Sequence, residues 1–456
     1  MFKVGMLLTV GSSGVAALRF ARNILLARLI SVEDYGIAST FIIVTSFFAL
    51  AGDLALDRMI IQDRRGAEPR FIGVVQAVII LRAVVMSALM LLLAGPTAEL
   101  FSLPGQTWVF QVLALIPLLQ GIVHPDLFRH QRDSHFAPFI IADLAGVCVS
   151  LLVMIWLAVV LGDFRIMLAV LIVEQAVRAL VSHLYAERPF RLAWDNGVAL
   201  QAVRFGVPLV LSGLTVFAVT QGERILVANQ FTFRDLGIFS AALTLAFTPG
   251  QLLATIQQRY FLPQLAPAAL ASNGSGRRLN EALQVTLLTG AGFALGAYVF
   301  GPQAMVLLFG ERFAEGAAFI GLIALVAALR AMRSGPNVVA LSDGHTWEIL
   351  AASVVRLVSL PIAVAIVLNG GSILDILIVG ALGEAAALVF AYALVVWRGK
   401  TVTRRTLLLL AMTLALCAIL GAAVVFGPQL SMPALLLAAG LFVASTAIWY
   451  AAPASA

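Results

Sequence analysis

The sequence predicts an all-α integral membrane protein of fourteen transmembrane helices, in which two parallel six-helix lobes precede two further helices. Composition is the first indication, because 61% of the 456 residues are hydrophobic and only 11% are charged, whereas soluble domains carry about 25% charged residues. The mean hydropathy is +1.02. The other two indications are a series of apolar runs long enough to cross a bilayer and an internal repeat.

The apolar runs are each about 20 residues long, which is the length that an α-helix needs to cross the hydrocarbon layer. Helices are expected because lipid offers no partners to exposed backbone groups. We number the runs as spans 1 to 14. They are predicted at 5–29, 36–61, 71–95, 107–128, 136–161, 166–186, 204–229, 236–261, 280–301, 316–333, 346–369, 373–397, 406–427 and 433–451.

The internal repeat has an offset of 201 residues. Residues 34–39, Asp-Tyr-Gly-Ile-Ala-Ser, recur at 235–240 as Asp-Leu-Gly-Ile-Phe-Ser, and the match extends without a gap from 15–58 to 216–259. The offset contains an even number of spans, so the two copies enter the membrane in the same direction. We therefore predict two pseudo-symmetric lobes around a central cavity. The predicted divisions are an N-lobe at 1–186, an amphipathic cytoplasmic linker at 187–203, a C-lobe at 204–400 and extra helices at 401–456.

Basic residues predict the orientation of the chain. Nineteen of the 29 Lys and Arg residues fall on one side of the predicted membrane, among them Arg330 and Arg333 at the end of span 10. The opposite side holds Arg28, Arg165, Arg234 and Arg312. Short cytoplasmic loops are enriched in basic residues, so both termini are predicted to lie in the cytoplasm.

Several functional classes are disfavoured by the sequence. The net charge of +6 does not indicate nucleic-acid binding, because the arginines lie mostly between apolar runs. Cys148 and Cys417 lie in separate runs and indicate neither a disulfide framework nor a metal site. The five histidines lack metal-ligand spacing, and no Walker sequence is present. We therefore expect transport, with no metal, no cofactor and no enzymatic activity.

Residues 26–36, Leu-Ala-Arg-Leu-Ile-Ser-Val-Glu-Asp-Tyr-Gly, carry a resemblance to a known family. They resemble the loop after the first helix of bacterial polysaccharide and O-antigen (Wzx-type) flippases, which belong to the multidrug/oligosaccharidyl-lipid/polysaccharide exporter superfamily. The resemblance implies a protein of the bacterial inner membrane that flips an undecaprenyl-pyrophosphate-linked oligosaccharide for O-antigen, capsule or exopolysaccharide biosynthesis. It also implies a cavity lined by spans 1, 2, 7 and 8, with membrane lipid and glycan polymerase machinery as partners.

Three other functions stay open. A lipid II flippase and an ion-coupled multidrug exporter would share this architecture, and a polytopic glycosyltransferase or polymerase is the rival from another class. Such enzymes usually present a large loop or a DxD-like carboxylate cluster, and the sequence has neither. A drug exporter would favour acidic and aromatic residues in its cavity, so clustered arginines in span 1 favour an anionic lipid-linked substrate.

Charged residues within the spans are the candidate substrate contacts, because ionisable groups at bilayer depth are costly and usually face protein or water. Arg19, Arg22 and Asn23 share or adjoin one polar face of span 1. The matching positions in the repeat are Thr220, Glu223 and Arg224. A guanidinium fork can hold phosphate oxygens bidentately. We predict that Arg19, Arg22, Asn23 and Arg224 bind substrate. Ion pairs of Arg19 and Arg22 with Asp53 or Asp57 are the alternative.

A second pair of arginines and three acids complete the candidate site. Arg58 and Arg259 are repeat partners at the predicted cytoplasmic ends of spans 2 and 8, where they would either receive a head group or anchor the helices. Asp53 and Asp57 lie one turn apart in span 2. Together with Glu223, they are the candidates for ion coupling, since burial and nearby arginines act in opposite directions on a carboxylate. A structural salt bridge is the alternative for both aspartates.

Two further sets concern conformation and stability. Pro249 and Gly250 in span 8 are the predicted hinge for alternating access, with a static kink as the alternative. Arg82, Arg356 and Glu384 are expected to stabilise the lobes. Glu174 and Arg178 are expected to pair along one helix because they stand four residues apart.

Overall fold

The computed structural model describes residues 2–265 and 275–450, and within these ranges it contains α-helices and short 3-10 turns but no strand. Side chains are described for the same ranges apart from 2–10, 208, 275 and 428–430. Contacts divide the chain into two compact units, Met1–Gly237 and Ile238–Ala456. The first unit includes a helix of the predicted C-lobe. The lobe boundaries, which rest on the repeat, stay a prediction.

The helices of the first unit follow the predicted spans, with three spans broken into shorter pieces. They are α1 (Phe2–Leu29), α2 (Val32–Ala51), α3 (Leu56–Gln62), α4 (Pro69–Leu92), α5 (Ala94–Leu100), α6 (Thr107–Leu113), α7 (Leu115–Gly121), α8 (Asp126–Arg132), α9 (Ala137–Val160), α10 (Arg165–Leu184) and α11 (Asn196–Gln230). The next helix, α12 (Phe233–Leu265), begins in this unit and continues into the second.

In the part of the second unit that the structure describes, eight more helices follow. They are α13 (Ser275–Phe309), α14 (Ala317–Met332), α15 (Ser334–Ser342), α16 (Trp347–Leu357), α17 (Ser359–Leu368), α18 (Ile373–Trp397), α19 (Arg404–Phe426) and α20 (Pro428–Tyr450). Several begin at strong caps. Ser372 and Asp375 form a reciprocal capping box at α18, and Thr403 caps α19. Span 12 was predicted with the observed bounds.

The residues that the structure describes contain twelve or thirteen segments that could cross a membrane, compared with the predicted fourteen. Twelve segments of the described chain have the length and apolar character of a crossing, and the bent pair Pro104–Gly121 and Asp126–Arg132 adds a thirteenth. The first helix, α1, is 28 residues long, with its first side chains outside the described part of the chain. The all-helical membrane fold is thus confirmed, whereas the count of fourteen is not.

The repeated motif forms the start of two helices that touch each other. Ser31 and Asp34 cap α2 through a hydrogen bond from the Asp34 amide to the Ser31 hydroxyl, 3.0 Å long. At the repeat position, the Asp235 amide donates to the Thr232 hydroxyl over 3.2 Å. The conserved spacing of hydroxyl and carboxylate therefore has a local cause, since these groups satisfy backbone amides that a helix start leaves without partners.

Gly36 and Gly237, the glycines of the two copies, bring the helix starts into backbone contact. A Cβ on Gly36 would lie 1.9 Å from the carbonyl oxygen of Phe233, and a Cβ on Gly237 would lie 2.2 Å from that of Val32. Only glycine permits this approach. Beside this backbone contact, Glu33 and Arg234 form an ion pair of 3.6 Å. These two residues also occupy equivalent positions of the repeat. The copies diverged to opposite charges where they meet.

Glycines also allow α11 to pack closely on the helix pair α2 and α3. A Cβ on Gly213 would lie 2.6 Å from the backbone oxygen of Leu50, and one on Gly206 would lie 2.5 Å from the side chain of Leu54. The two glycines are seven residues apart and so share one face of α11. Phe47 and Phe217 add an edge-on aromatic contact with centroids 5.2 Å apart.

The linker is shorter than predicted and is not helical before Asn196, where α11 begins. It is held as an extended segment by hydrogen bonds at both ends. The Asp126 carboxylate accepts the amides of Glu187 and Arg188 at 2.9 Å each, and the Ala193 amide donates to the Gly73 oxygen over 3.2 Å. A hydrogen bond from Arg129 lowers the pKa of Glu187. The linker is therefore tied to α4 and α8.

Candidate substrate-binding site

The arginines of α1 converge on one carboxylate of α10. Glu174 Oε1 accepts Arg19 Nη2 at 2.7 Å, and its Oε2 accepts Arg22 Nη1, which also lies 3.5 Å from the Ser150 hydroxyl of α9. The side chains of Glu174 and Arg22 are each 6% exposed, whereas Arg19 is 43% exposed. Two guanidinium groups share one carboxylate, so this cluster retains a positive charge.

The predicted pairing partners of these arginines were wrong. The observed partner is Glu174 rather than Asp53 or Asp57. Nor does Glu174 bind Arg178 along its own helix, because Arg178 points to α9, where its Nε lies 2.9 Å from Asp143. The physical reason is geometric. A residue four positions away lies on the same helix surface, but α9 packs against α10 and α1 packs against α9, so side chains of α1 and α9 reach the charged groups of α10.

The remaining arginine candidates occupy different surroundings. Arg58 in α3 and Arg259 in α12 are both exposed. Asn23 and Glu223 are half-buried. Arg224 is also half-buried, its Nη1 lies 3.3 Å from the Gln221 side-chain oxygen, and its Nε is buried without a hydrogen-bond partner among the described residues.

Span 2 contains a break in the helix, with Asp53 inside the break and Asp57 in the first turn after it. Span 2 was predicted as one helix, but the structure ends α2 at Ala51 and starts α3 at Leu56. The Asp53 carboxylate accepts the Ala55 amide at 2.8 Å, and Ala55 adopts a φ of +46°. A side chain that bonds nearby backbone competes with the helix, which explains a break that no proline marks.

Both aspartates nevertheless line one polar cavity. This cavity has a volume of about 250 Å³ and is also lined by Arg82, Gln120 and Arg178. Arg82 donates from Nη1 to the backbone oxygen of Gly52 over 3.2 Å. Gly52 is the C-cap of α2, so Arg82 stabilises the end of this helix at the break. The cavity combines two carboxylates with two guanidinium groups, which is an arrangement that can respond to a proton or an ion.

The predicted hinge lies in a continuous helix. The helix α12 runs through Pro249 and Gly250 without interruption. Pro249 borders an apolar cavity of about 270 Å³ together with Phe293 and Gly296, and a Cβ on Gly250 would lie 3.2 Å from the Ala327 Cβ of α14. A hinge motion at this position stays a prediction.

A second buried charge cluster lies within the second unit. Glu384 of α18 is fully buried and accepts Arg330 at 2.7 Å, Arg356 at 3.3 Å and Arg333 at 3.5 Å. Arg330 also lies over the Phe247 ring at 4.8 Å. The expectation that Arg356 and Glu384 form internal stabilising contacts matches this geometry.

The contacts of Arg330 and Arg333 with Glu384 were not predicted, because the sequence placed both arginines on the cytoplasmic side at the end of span 10. The helical segment Glu311–Ser342 continues past both residues, with α14 leading directly into α15. The repeat could have revealed them, because Arg129 and Arg132 stand 201 positions earlier. Among the described residues, no group of three or more His, Cys, Asp or Glu side chains could hold a metal ion.

The comparison with protein families decides the classification. Residues 25–318 match the family described as "Polysaccharide biosynthesis protein". The chain belongs to this polysaccharide biosynthesis protein family. The chain is also similar to the succinoglycan biosynthesis transport protein ExoT of Rhizobium meliloti (strain 1021), with 24% identity over 319 residues. The match covers 69% of this chain and 63% of the relative.

Solved structures confirm the fold of this family member. A lipid II flippase MurJ in an inward closed conformation superposes with a TM-score of 0.73 at 12% identity, covering 98% of this chain and 99% of the other. An inward-facing multidrug resistance MATE family transporter of the MOP superfamily gives 0.66 at 12% identity, covering 84% and 94%. At such low identity the similarity shows the fold alone.

Proposed function

We propose that this protein is a flippase that carries a polyprenyl-pyrophosphate-linked oligosaccharide from the cytoplasmic to the periplasmic leaflet of a bacterial inner membrane. Membership of a polysaccharide biosynthesis family and the transport activity named for the succinoglycan relative support this proposal. They also favour exopolysaccharide among the glycans considered. The function is transport rather than catalysis, with both termini in the cytoplasm and glycan polymerase machinery as its partner.

The observation that carries the proposal is the pair of arginines on α1. A charge inside a transmembrane helix costs about 2.5–3.5 kcal/mol on insertion scales. Arg22 is enclosed by Glu174 and Ser150. Arg19 also binds Glu174, but 43% of its side chain remains exposed. A half-exposed guanidinium at this depth can meet a phosphate in a low-dielectric setting, where the attraction is stronger than in water.

In the proposed mechanism, the phosphates meet Arg19 and Arg22, with Asn23 and Arg224 as further contacts. Arg58 and Arg259 attract the head group at the cytoplasmic surface. The sugars pass through hydrated space while the polyprenyl tail stays in lipid, where its apolar surface needs no protein partner. Alternating access then exposes the head group to the opposite side, with Pro249 and Gly250 as the hinge.

Substitution of both arginines tests this role. We expect Arg19→Ala/Arg22→Ala to reduce surface glycan at least about 100-fold, because two charge-assisted contacts are lost. Surface glycan and the amount of protein in the membrane are measured together. Arg165→Ala is the matched control, since Arg165 is an exposed arginine that pairs with Asp163 at the start of α10. Normal glycan export by the double variant at normal protein level would contradict the proposal.

We further propose that Asp53 and Asp57 couple transport to an ion gradient through the polar cavity that they share with Arg82. Glu223 is the third candidate. We expect Asp53→Asn/Asp57→Asn to abolish the stimulation of transport by an imposed proton or sodium gradient, while binding of the lipid-linked substrate is retained. Asp163→Asn, at an exposed pair, serves as the control. Unchanged gradient stimulation in the double variant would contradict the coupling role.

A further inference from the structure

We propose that Glu174 is an internal competitor of the substrate's phosphate for Arg19. This inference rests on the proposed phosphate role of the α1 arginines and adds a residue that determines how tightly the site holds its anion. The geometry points to this role because the two oxygens of the Glu174 carboxylate bind different arginines. Oε1 accepts a hydrogen bond from Arg19 and Oε2 accepts one from Arg22.

The two contacts differ in accessibility. Arg22 and Glu174 are each 6% exposed, so their contact is sealed inside the first unit. Arg19 is 43% exposed and binds Oε1 through both Nε, at 2.9 Å, and Nη2, at 2.7 Å. Arg19 therefore directs its fork at a carboxylate while part of its side chain remains open. An incoming phosphate can reach this guanidinium without opening the buried contact.

A carboxylate and a phosphate offer a guanidinium fork similar pairs of oxygen atoms. Glu174 therefore occupies the position on Arg19 that a phosphate would take, and it keeps the arginine neutralised in the empty protein. When phosphate binds, Arg19 exchanges one oxyanion for another while Arg22 holds the carboxylate in place. When phosphate leaves, Glu174 binds Arg19 again, which lowers the free energy of the empty state.

This exchange would serve transport because a carrier must release what it binds. Binding has to be favourable enough for entry and weak enough for exit, a requirement that also governs conduction through channels. Arg19 and Arg22 without a nearby acid would hold a pyrophosphate tightly and slow its release. Glu174 reduces the net positive charge of the cluster by one and thereby weakens anion binding.

The test measures binding of inorganic pyrophosphate to the purified full-length protein, together with flipping in proteoliposomes. We expect Glu174→Gln to bind pyrophosphate about tenfold more tightly than the unaltered protein, with a lower KM and a lower maximal flipping rate. Glu174→Asp is the second variant. It preserves the negative charge but shortens the side chain, so it should tighten pyrophosphate binding less than Glu174→Gln does. Because a carboxylate remains beside Arg22, this variant should also keep the folded structure.

Asp143→Asn is the matched control, because Asp143 makes the other acid–arginine contact between α9 and α10. Its pyrophosphate affinity should equal that of the unaltered protein. Equal or weaker binding by folded Glu174→Gln or Glu174→Asp would overturn the inference while leaving the phosphate role intact. Failure of the unaltered protein to bind pyrophosphate, or binding unaffected by Arg19→Ala, would overturn the phosphate role and this inference with it.

Discussion

Replacing Glu384 by alanine is expected to remove most folded protein from the membrane. The substitution leaves Arg330, Arg333 and Arg356 without the carboxylate that they share in the interior of the second unit. Removal of one partner from a buried ion pair costs about 3–5 kcal/mol, and three arginines here lose the same partner. The yield of monodisperse protein after detergent extraction and its thermal inactivation temperature measure the effect.

The matched control is Glu281→Ala, which removes an exposed glutamate from the neighbouring helix α13 and should leave both measurements unchanged. A second variant separates charge from packing. Glu384→Met/Arg356→Met removes one acid and one arginine, so it should recover part of the yield that Glu384→Ala loses. Normal yield and stability of Glu384→Ala would show that the cluster does not hold this unit together.

The second large effect is expected at Gly36, where a single methyl group should abolish transport. In Gly36→Ala the new Cβ would stand 1.9 Å from the carbonyl oxygen of Phe233, far inside van der Waals contact. The obstacle is backbone, so the helix starts of α2 and α12 must separate. Overpacking of this kind costs about 1–3 kcal/mol or more. Glycan export and thermal stability both report the change.

Gly237→Ala should reproduce the defect from the other copy of the motif, because its Cβ would stand 2.2 Å from the Val32 oxygen. Gly296→Ala is the control, since a Cβ at that helical position would have no atom within 4 Å beyond its chain neighbours and the nearby backbone of its own helix. Normal export and stability in both Gly36→Ala and Gly237→Ala would contradict the conclusion that the repeated glycines are needed for the contact.

Helix positions were largely predictable because the lipid environment imposes them. An apolar run of the right length between polar caps leaves little choice, and 373–397 was predicted with the observed bounds of α18. The break after Ala51 was not predicted, because it comes from a local bond between Asp53 and the Ala55 amide. Pro249, the predicted hinge, lies inside α12, which is helical on both sides of it.

Partner choice within the membrane could not be predicted from the sequence. Ion pairs with Asp53 or Asp57 were the alternative considered for Arg19 and Arg22, but the acid that binds them is Glu174, 152 residues from Arg22. Which helices pack side by side decides such pairs, and apolar periodicity does not contain that information. The contacts of Arg330 and Arg333 with Glu384 were missed because both were counted with the basic residues at the cytoplasmic end of span 10, whereas the helical segment runs on to Ser342.

The repeat is most informative where its copies differ. Glu33 and Arg234 stand at equivalent positions and pair with each other. Arg19 and Arg22 correspond in the second copy of the repeat to Thr220 and Glu223. Thr220 donates its hydroxyl to the Val216 oxygen of its own helix at 2.8 Å, so it does not reproduce the arginine cluster. The cationic feature therefore belongs to the first copy.

The most direct test of this account is flipping in proteoliposomes that contain an undecaprenyl-pyrophosphate-linked oligosaccharide with a labelled glycan. The rate at which a membrane-impermeant reagent gains access to the label is measured for the unaltered protein, for Arg19→Ala/Arg22→Ala and for Arg165→Ala. We expect the unaltered protein and Arg165→Ala to accelerate flipping equally, and the double variant to match protein-free vesicles. Equal flipping by the double variant, or no acceleration by the unaltered protein, would contradict the account.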